Sequence, residues 1–405
     1  MALKGNLLVG QSGGPTAVIN ASLAGVIEEA KKRSEICDIY GTVNGVEGLL
    51  KEEIADLRAE SEDTLALLPR TPAAALRSCR KKLSAADFDR LLAIFKAHNI
   101  RFLCYIGGND SADTTHRVGQ LAQQAGWEMR AIGVPKTIDN DLAYTDHCPG
   151  YGSVARFSAL STRDAGLDTS AMHTVDVVKI VETMGRNAGW ITASTALARE
   201  LPGDPPHLIY LPERPFDEGK FLADVKKQVE TGNGCVVAVC EGLRDAEGNV
   251  LVSFKHAIGT DSFGHSQLGG IGDYLVNLIA EKLGIKARFD KTGTIQRSFG
   301  LAQSEVDAEE ARMVGMAAVA NACNGVTDKM VVLKRVSQNP YRCETDLAPL
   351  EAVANAERPM PAEFISADGN DVTPAFIEYA RPLIGGPLPS YARLKLKRIA
   401  KKAQG

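Results

Sequence analysis

The chain has 405 residues, a formal net charge of −4 and 44% hydrophobic residues. This length is more than one hydrophobic core usually serves, so two domains are expected. The small net charge gives no reason to expect nucleic acid or a membrane surface as a partner, and no apolar run approaches the roughly 18 residues of a transmembrane helix.

Short β-branched runs alternate along the chain with longer amphipathic stretches, which is typical of βα units and a parallel sheet. The first set of predicted strands is Asn6–Val9, Phe102–Ile106 and Ala131–Val134. A second set and one late strand follow, at Val175–Val181, Leu208–Leu211, Val236–Val239 and Met330–Leu333. The sequence therefore predicts an α/β fold with mainly parallel sheets.

The cysteines and histidines argue against a disulfide framework and against a transition-metal cage. The eight cysteines are scattered without a C-x-x-C pair, and the seven histidines show no zinc-type spacing. Unpaired thiols in a chain of this size suit a reducing compartment. We therefore expect a cytoplasmic protein.

Glycine and polar residues collect where the predicted strands end. Ligands of open α/β sheets bind beyond the carboxyl ends of the strands. Five such loops together indicate one or two facing ligand clefts; they cover residues 11–16, 107–111, 135–141, 181–186 and 240–242.

The first two loops have the composition of anion sites. Gly13 and Gly14 allow the backbone to approach an anion, and the helix that follows offers unpaired N–H groups. The loop matches neither G-x-G-x-x-G nor the Walker A motif, and a simple strand–helix turn explains it equally well. In the second loop, Asn109 and Asp110 offer oxygen ligands for Mg²⁺, although both also favour helix N-caps.

The third loop, Pro135-Lys136-Thr137-Ile138-Asp139-Asn140-Asp141, is the most specific. Two carboxylates and a lysine after a strand carry more charge than a turn needs. Phosphoryl transfer to an alcohol uses a base in line with the hydroxyl. Asp139 is the better candidate for this base, and Asp141 is a second base or a group that orients a metal-bound water. The competing interpretation is an Asx-turn beside a surface lysine.

Arginines and one more carboxylate complete the pattern. Arg186 follows a strand and is suited to gripping a phosphate in bidentate fashion, and Glu241 is placed to accept hydrogen bonds from sugar hydroxyls. Arg288 and Arg297 form a basic group suited to a second phosphate. Two phosphorylated ligands that meet at Asp139 indicate a phosphoryl transferase.

In this order and spacing, Pro135–Asp141, Met184–Arg186, Glu241-Gly242 and Gln296-Arg297 resemble the phosphofructokinase family, and the match runs from about residue 5 to residue 325. The resemblance implies two Rossmann-like domains that face each other across the active site. It also implies that Mg²⁺ is the cofactor and that fructose 6-phosphate is a substrate.

The resemblance also assigns roles. Asp139 is expected to deprotonate the 1-hydroxyl of fructose 6-phosphate while Thr137 steadies the transferring phosphoryl group; Lys136 and Asp110 complete the expected catalytic set, and Asn109 and Asp110 the metal site. The expected substrate-binding residues are Gly13, Gly14, Thr137, Ile138, Asp139, Met184, Gly185, Arg186, Glu241, Arg288 and Arg297.

For the domains, we expect residues 1–145 plus about 265–320 to bind the phosphoryl donor. Residues 146–264 plus about 321–405 are expected to form the sugar-phosphate domain and a C-terminal extension.

Two positions predict which donor is used. ATP-dependent members usually carry glycine where Asp110 and Lys136 stand, whereas pyrophosphate-dependent members resemble this chain. A carboxylate at Asp110 would repel the α-phosphate of a nucleotide, and Lys136 suits the compact charge of pyrophosphate. We therefore expect pyrophosphate as the donor.

Three positions depart from the family pattern. Asn109 stands where Asp is frequent, which weakens a direct carboxylate contact to Mg²⁺ there. Thr294 replaces a common histidine that contacts the sugar. Val177 replaces an arginine that commonly reaches into a neighbouring subunit, which fits a non-allosteric homo-oligomer, with a dimer favoured.

Four alternatives stay open at this point. Three are an ATP-dependent member, a catalytically silent regulatory subunit and a dinucleotide-binding oxidoreductase, although the last should show G-x-G-x-x-G. The fourth is sedoheptulose 7-phosphate as a second acceptor.

Overall fold

The computed structural model describes residues 3–252, 270–354 and 356–400. Its strands are β1 (Gly5–Gln11), β2 (Ile36–Thr42), β3 (Ile54–Asp56), β4 (Ile100–Gly107), β5 (Arg130–Pro135), β6 (Val178–Thr183), β7 (Leu208–Tyr210), β8 (Cys235–Cys240), β9 (Ala287–Lys291), β10 (Lys329–Gln338) and β11 (Tyr341–Pro349). Its α-helices are α1 (Ile19–Lys32), α2 (Gly45–Leu50), α3 (Glu62–Leu67), α4 (Ala85–Ala97), α5 (Asn109–Gln124), α6 (Tyr151–Ala171), α7 (Trp190–Ser194), α8 (Glu218–Val229), α9 (Ile271–Leu283), α10 (Glu305–Cys323), α11 (Leu350–Ala354) and α12 (Pro374–Ala380).

Two sheets organise these elements. The larger has the strand order β11-β10-β5-β4-β1-β2-β3, and the smaller has the order β7-β8-β6-β9. Neighbouring strands of the smaller sheet are all parallel, and in the larger sheet only β3 and β11 pair in the antiparallel sense. The predicted α/β class with mainly parallel sheets is confirmed.

The larger sheet is buried on both faces because helices cover each side, as parallel sheets require. Successive residues of β1 alternate between the two cores: Val9 packs in the core under α1 and α10, and Leu8 packs in the core under α4. The strand consequently reads as a continuous apolar run in the sequence, which is why it was predictable.

Every predicted strand is present, with bounds shifted by a few residues. Strands β2, β3, β9 and β11 were not predicted. In β9 only Ala287 is buried, so the strand lacks the apolar signal by which its neighbours are recognised.

The sheets divide the chain differently from the predicted domains. Strand β9, in the segment assigned to the donor domain, pairs with β6 in the smaller sheet. Strand β10, assigned to the sugar-phosphate domain, pairs with β5 and extends the larger sheet. The composition of a strand does not reveal which of two apolar sheets it joins, so the sequence could not predict this division. The predicted boundary near residue 265 lies outside the described residues.

Among the helices of the described residues, none has the length and apolar character needed to span a membrane.

Candidate active site

Loops from both sheets surround one cleft of about 450 Å³. All five loops singled out in the sequence contribute to its walls. The cleft brings together Gly13, Gly14, Asn109, Asp110, Lys136, Thr137, Asp139, Asp141, Met184, Gly185, Arg186 and Glu241.

The glycine loop after β1 approaches a group of cations. Gly13 adopts a positive φ of 77°, which favours glycine. The ammonium of Lys136 donates to the carbonyl oxygen of Gly14 at 2.7 Å. A Cβ at Gly14 would lie 3.2 Å from Arg297 Nη1 and 3.9 Å from Arg80 Nη2. Glycine therefore leaves room at a point where three positive side chains converge, which suits a multiply charged anion.

Lys136 is buried at this point, and its surroundings change its pKa. Burial lowers the pKa of Lys136 to about 8, although the negative charge of Asp139 opposes the shift. Because the ammonium is poorly hydrated, a bound anion would replace its lost hydration and favour the charged form.

The loop after β5 holds two carboxylates on either side of a left-handed residue. Asn140 has a φ of 57°, a conformation that asparagine tolerates better than most residues. Its side-chain oxygen accepts from the backbone N–H of Cys148 at 2.9 Å, and its amide donates to Tyr379 Oη at 3.0 Å. These bonds fix the turn between Asp139 and Asp141.

Both carboxyl groups are harder to ionise than usual. Burial raises the pKa of Asp139, and Lys136 and Arg186 oppose this rise. Burial also raises the pKa of Asp141, to about 7, with further contributions from the charges of Asp139 and Glu357. Asp139 also has a fixed backbone, because its N–H donates to Thr137 Oγ1 at 3.1 Å. A carboxylate with a raised pKa beside positively charged side chains is suited to general base chemistry.

The two predicted metal ligands begin α5 and differ in their contacts. Asn109 donates its side-chain amide to the carbonyl oxygen of Ala356 at 2.8 Å, so its oxygen is the remaining ligand atom. Asp110 is exposed, and its Oδ1 lies 3.4 Å from Lys82 Nζ. With Asp139 and Asp141 on the same cleft, the donor set consists of oxygen atoms, which fits Mg²⁺.

The opposite wall carries an arginine and a carboxylate. Arg186 Nε lies 3.7 Å from Glu241 Oε1. Burial raises the pKa of Glu241, although Arg186 opposes this. Gly185 has a φ of 139°, and a Cβ there would lie 2.8 Å from the carbonyl oxygen of Ala188. The loop therefore needs glycine to present Met184 and Arg186 to the cleft.

Two predicted site residues lie elsewhere in this chain. Arg288 pairs in register with Lys179 near the amino end of β6, away from the carboxyl ends that form the cleft, and its guanidinium binds Asp176 at 2.6 Å. The predicted basic group of Arg288 and Arg297 is therefore divided. The side chain of Ile138 packs in a hydrophobic core instead of lining the cleft.

Four further polar or charged residues of the cleft were not anticipated: Arg80, Asn187, Arg244 and Glu357. Glu357 accepts from Asn187 Nδ2 at 3.1 Å, and Arg244 donates to Asn187 Oδ1 at 3.2 Å. The basic run Arg77-Ser-Cys-Arg-Lys-Lys82 was a possible signal for Arg80. No local motif points to Glu357.

Comparisons with known proteins agree with this geometry. A pyrophosphate–fructose 6-phosphate 1-phosphotransferase from Xanthomonas campestris pv. campestris (strain B100) is 46% identical over 413 residues, covering 98% of each chain. A sulfofructose kinase from Alkalicoccus urumqiensis is 34% identical and covers 88% of this chain and 91% of its own.

A solved structure shows the same fold. The pyrophosphate-dependent phosphofructokinase from Marinobacter aquaeolei superimposes with a TM-score of 0.86 at 39% identity, covering 99% of this chain and 98% of its own. Residues 6–322 match the description "Phosphofructokinase". The chain therefore belongs to the phosphofructokinase family.

Proposed function

We propose that this protein transfers a phosphoryl group from pyrophosphate to the 1-hydroxyl of fructose 6-phosphate, giving fructose 1,6-bisphosphate and phosphate. The observation that carries the proposal is the buried ammonium of Lys136, which lies against the glycine loop next to Asp139. The names of the full-length relatives support the same donor and acceptor.

Asp139 acts as the base. As the sugar oxygen forms its bond to phosphorus, the O–H bond breaks and the proton moves to the carboxylate of Asp139. The bridging P–O bond of pyrophosphate breaks at the same phosphorus, and its electron pair leaves with phosphate. Because the pKa of Asp139 is raised, the carboxylate is a better proton acceptor near neutral pH than an ordinary aspartate. Thr137, hydrogen-bonded to the backbone of Asp139, steadies the transferring group.

Lys136 and Asp110 select the donor. Lys136 places a positive charge beside Gly13 and Gly14, where the phosphates bind. Asp110 presents a carboxylate at the same wall and repels the additional phosphate of a nucleotide. Two unit charges about 4 Å apart interact by up to about 4 kcal/mol at an effective dielectric of ~20, and a fraction of this is enough for selection.

The acceptor lies against the wall of Met184, Gly185 and Arg186. Arg186 binds the phosphate of the sugar, and Glu241 accepts hydrogen bonds from its hydroxyls, whereas Arg297 lies beside Gly14 on the donor side. Binding energy from the phosphate holds the 1-hydroxyl against Asp139, which is how a transferase of this kind gains rate from positioning.

Mg²⁺ is the expected cofactor, and the oxygen donors Asn109 and Asp110 would hold it together with the phosphates. When bound there, Mg²⁺ would supply positive charge that offsets the charge of pyrophosphate and of the transferring group. We further propose that the enzyme works in both directions.

We also propose that the enzyme is a cytoplasmic homodimer. All eight cysteines are free, which suits a reducing compartment, and Val177 stands where an arginine commonly reaches a neighbouring subunit. Light scattering of the purified protein tests the dimer.

A coupled assay for fructose 1,6-bisphosphate with Mg²⁺ tests the reaction, with pyrophosphate and ATP compared as donors. We expect turnover with pyrophosphate and none with ATP. Turnover with ATP alone would overturn the donor assignment and leave the base in place. Formation of pyrophosphate from fructose 1,6-bisphosphate and phosphate tests reversibility.

The same assay tests the acceptor and the source of donor selection. Sedoheptulose 7-phosphate and sulfofructose replace fructose 6-phosphate in parallel reactions. Asp110→Gly combined with Lys136→Gly should admit ATP, and continued rejection of ATP by this double variant would place donor selection elsewhere.

A further inference from the structure

The loop with the two carboxylates is held by a segment outside the family match. The match ends at residue 322, whereas the segment that follows α11 returns to the cleft. Glu357 forms an antiparallel bridge with Leu142, and the backbone N–H of Arg358 donates to the carbonyl oxygen of Asp141 at 2.7 Å. A part of the chain remote in sequence is therefore paired directly with the reactive loop, residues 136–150, which joins β5 to α6.

The guanidinium of Arg358 binds the same loop at three more points. It donates to the carbonyl oxygens of Asn140 and Thr145, each at 2.8 Å, and to that of Asp146. It also lies 4.7 Å from the centre of the Trp190 ring. The planar fork of a guanidinium can reach several fixed acceptors at once, which an ammonium cannot do with the same geometry.

These contacts fix the peptide that separates the two carboxylates. The carbonyl of Asn140 belongs to the peptide that joins Asn140 to Asp141, so its orientation decides how Asp139 and Asp141 face the cleft. A misplacement of about 1 Å at a reacting group costs on the order of 10²-fold in rate.

We propose that Arg358 is a positioning residue for the phosphoryl transfer, which orients Asp139 and Asp141 by gripping the backbone carbonyls of residues 140, 145 and 146. The inference rests on the proposed function, and it adds to that function a residue that touches neither substrate. It also assigns a role in the active site to the chain beyond the family match.

Two substitutions of Arg358 distinguish the loss of its contacts to the carbonyl oxygens from the loss of its positive charge. Arg358→Gln removes both, whereas Arg358→Lys retains a positive charge and loses the three-point fork. Arg156→Gln is the matched control, because the guanidinium of Arg156 also binds three carbonyl oxygens, those of Ile384, Gly386 and Pro387 at 2.9, 3.2 and 3.5 Å. The Arg156 contacts involve no residue of the reactive loop.

We measure kcat and KM for each variant, with kcat normalised to the folded fraction from circular dichroism. Both Arg358 variants should lose at least tenfold in kcat while KM for fructose 6-phosphate changes less than threefold. Arg156→Gln should keep the wild-type kcat and KM.

A wild-type kcat per folded enzyme in Arg358→Gln, or a loss of activity that lies in KM alone, would overturn the inference. If Arg358→Gln does not fold, Arg358→Lys decides, since an unchanged kcat in this variant would also refute the role of the fork. Absence of wild-type turnover with pyrophosphate and fructose 6-phosphate would count against the proposed function instead. The ratio of variant to wild type would then be measured with the donor and acceptor that the wild type does use.

Discussion

The loop that follows β5 carries acidic residues in two different states. At its start, burial raises the pKa values of Asp139 and Asp141, and the neighbouring cations only partly offset this. Further along, burial of Asp146 is outweighed by His147 and Arg335, so the pKa of Asp146 is lowered. The two ends of the loop therefore differ because of their partners: the carboxyl groups at the start are hard to ionise, whereas the far end, at Asp146 and His147, is anchored by ion pairs.

At the anchored end, Asp146 and His147 belong to a network of ion pairs and hydrogen bonds. His147 Nδ1 lies 2.8 Å from Asp146 Oδ1, and its Nε2 lies 2.6 Å from Glu310 Oε2. Tyr341 donates its hydroxyl to Glu310 at 2.6 Å, and Arg335 lies 3.0 Å from Asp146. Such a network can stabilise the loop while its other end keeps poorly compensated carboxylates, a division that is common near functional sites.

The largest effect is expected on kcat, from a substitution at the start of the loop. Asp139→Asn should reduce kcat by ~10²–10⁴-fold because it removes the base. The variant should also be at least as stable as the wild type at pH 8, since a carboxyl with a raised pKa is costly to ionise in the folded state. Steady-state kinetics and urea unfolding measure the two quantities. Near-normal turnover would remove Asp139 from the role of base.

At the anchored end we expect the opposite outcome, a loss of stability with little change in kcat. Glu310→Gln should reduce the free energy of unfolding by on the order of 3 kcal/mol, because it removes the buried charge that faces His147 Nε2 and the Tyr341 hydroxyl and leaves His147 with Asp146 alone. Its kcat per folded enzyme should stay within threefold of the wild type. The control is the exposed neighbour Glu309→Gln, which should change stability by less than ~0.5 kcal/mol. Equal stability of the two variants in urea unfolding would show that the network is not an anchor.

The smallest effect is a pH dependence of stability. Burial alone would lower the pKa of His147, but the carboxylates of Glu310 and Asp146 outweigh it and raise the pKa to about 9. The stabilisation from His147 is therefore complete below its unfolded pKa of about 6.5 and is lost as the pH rises through about 9. Urea unfolding of the wild type should show this fall, and His147→Gln should show a smaller one. Equal slopes in the two proteins would contradict the assignment.

The sequence was informative where polar residues end buried strands. The strands around Val9 and Ile132 form apolar runs, and Lys136 and Asp139 follow such a run directly, so their place in a cleft could be predicted. Arg288 was misplaced because it belongs to the short, exposed strand β9, and its position at the amino end of that strand follows only from pairing with β6.

The residues that hold this loop in place could not be predicted from apolar runs and the polar residues that follow them. Arg358 lies 218 residues from Asn140 along the chain, and a single arginine in an irregular segment has no periodicity or spacing that reveals its partners. Its contacts depend on how β10 and β11 carry the chain back to the reactive loop, which is a property of the tertiary structure.

The return of the C-terminal segment to the reactive loop also has a consequence for synthesis of the protein. Proteins are made from the N-terminus, and their parts begin to fold in that order. The two carboxylates emerge from the ribosome long before Arg358, so they reach their final arrangement only when most of the chain has been made. A nascent chain or a fragment that stops before residue 358 would carry the sequence motifs of the family without the contacts by which Arg358 holds the loop after β5.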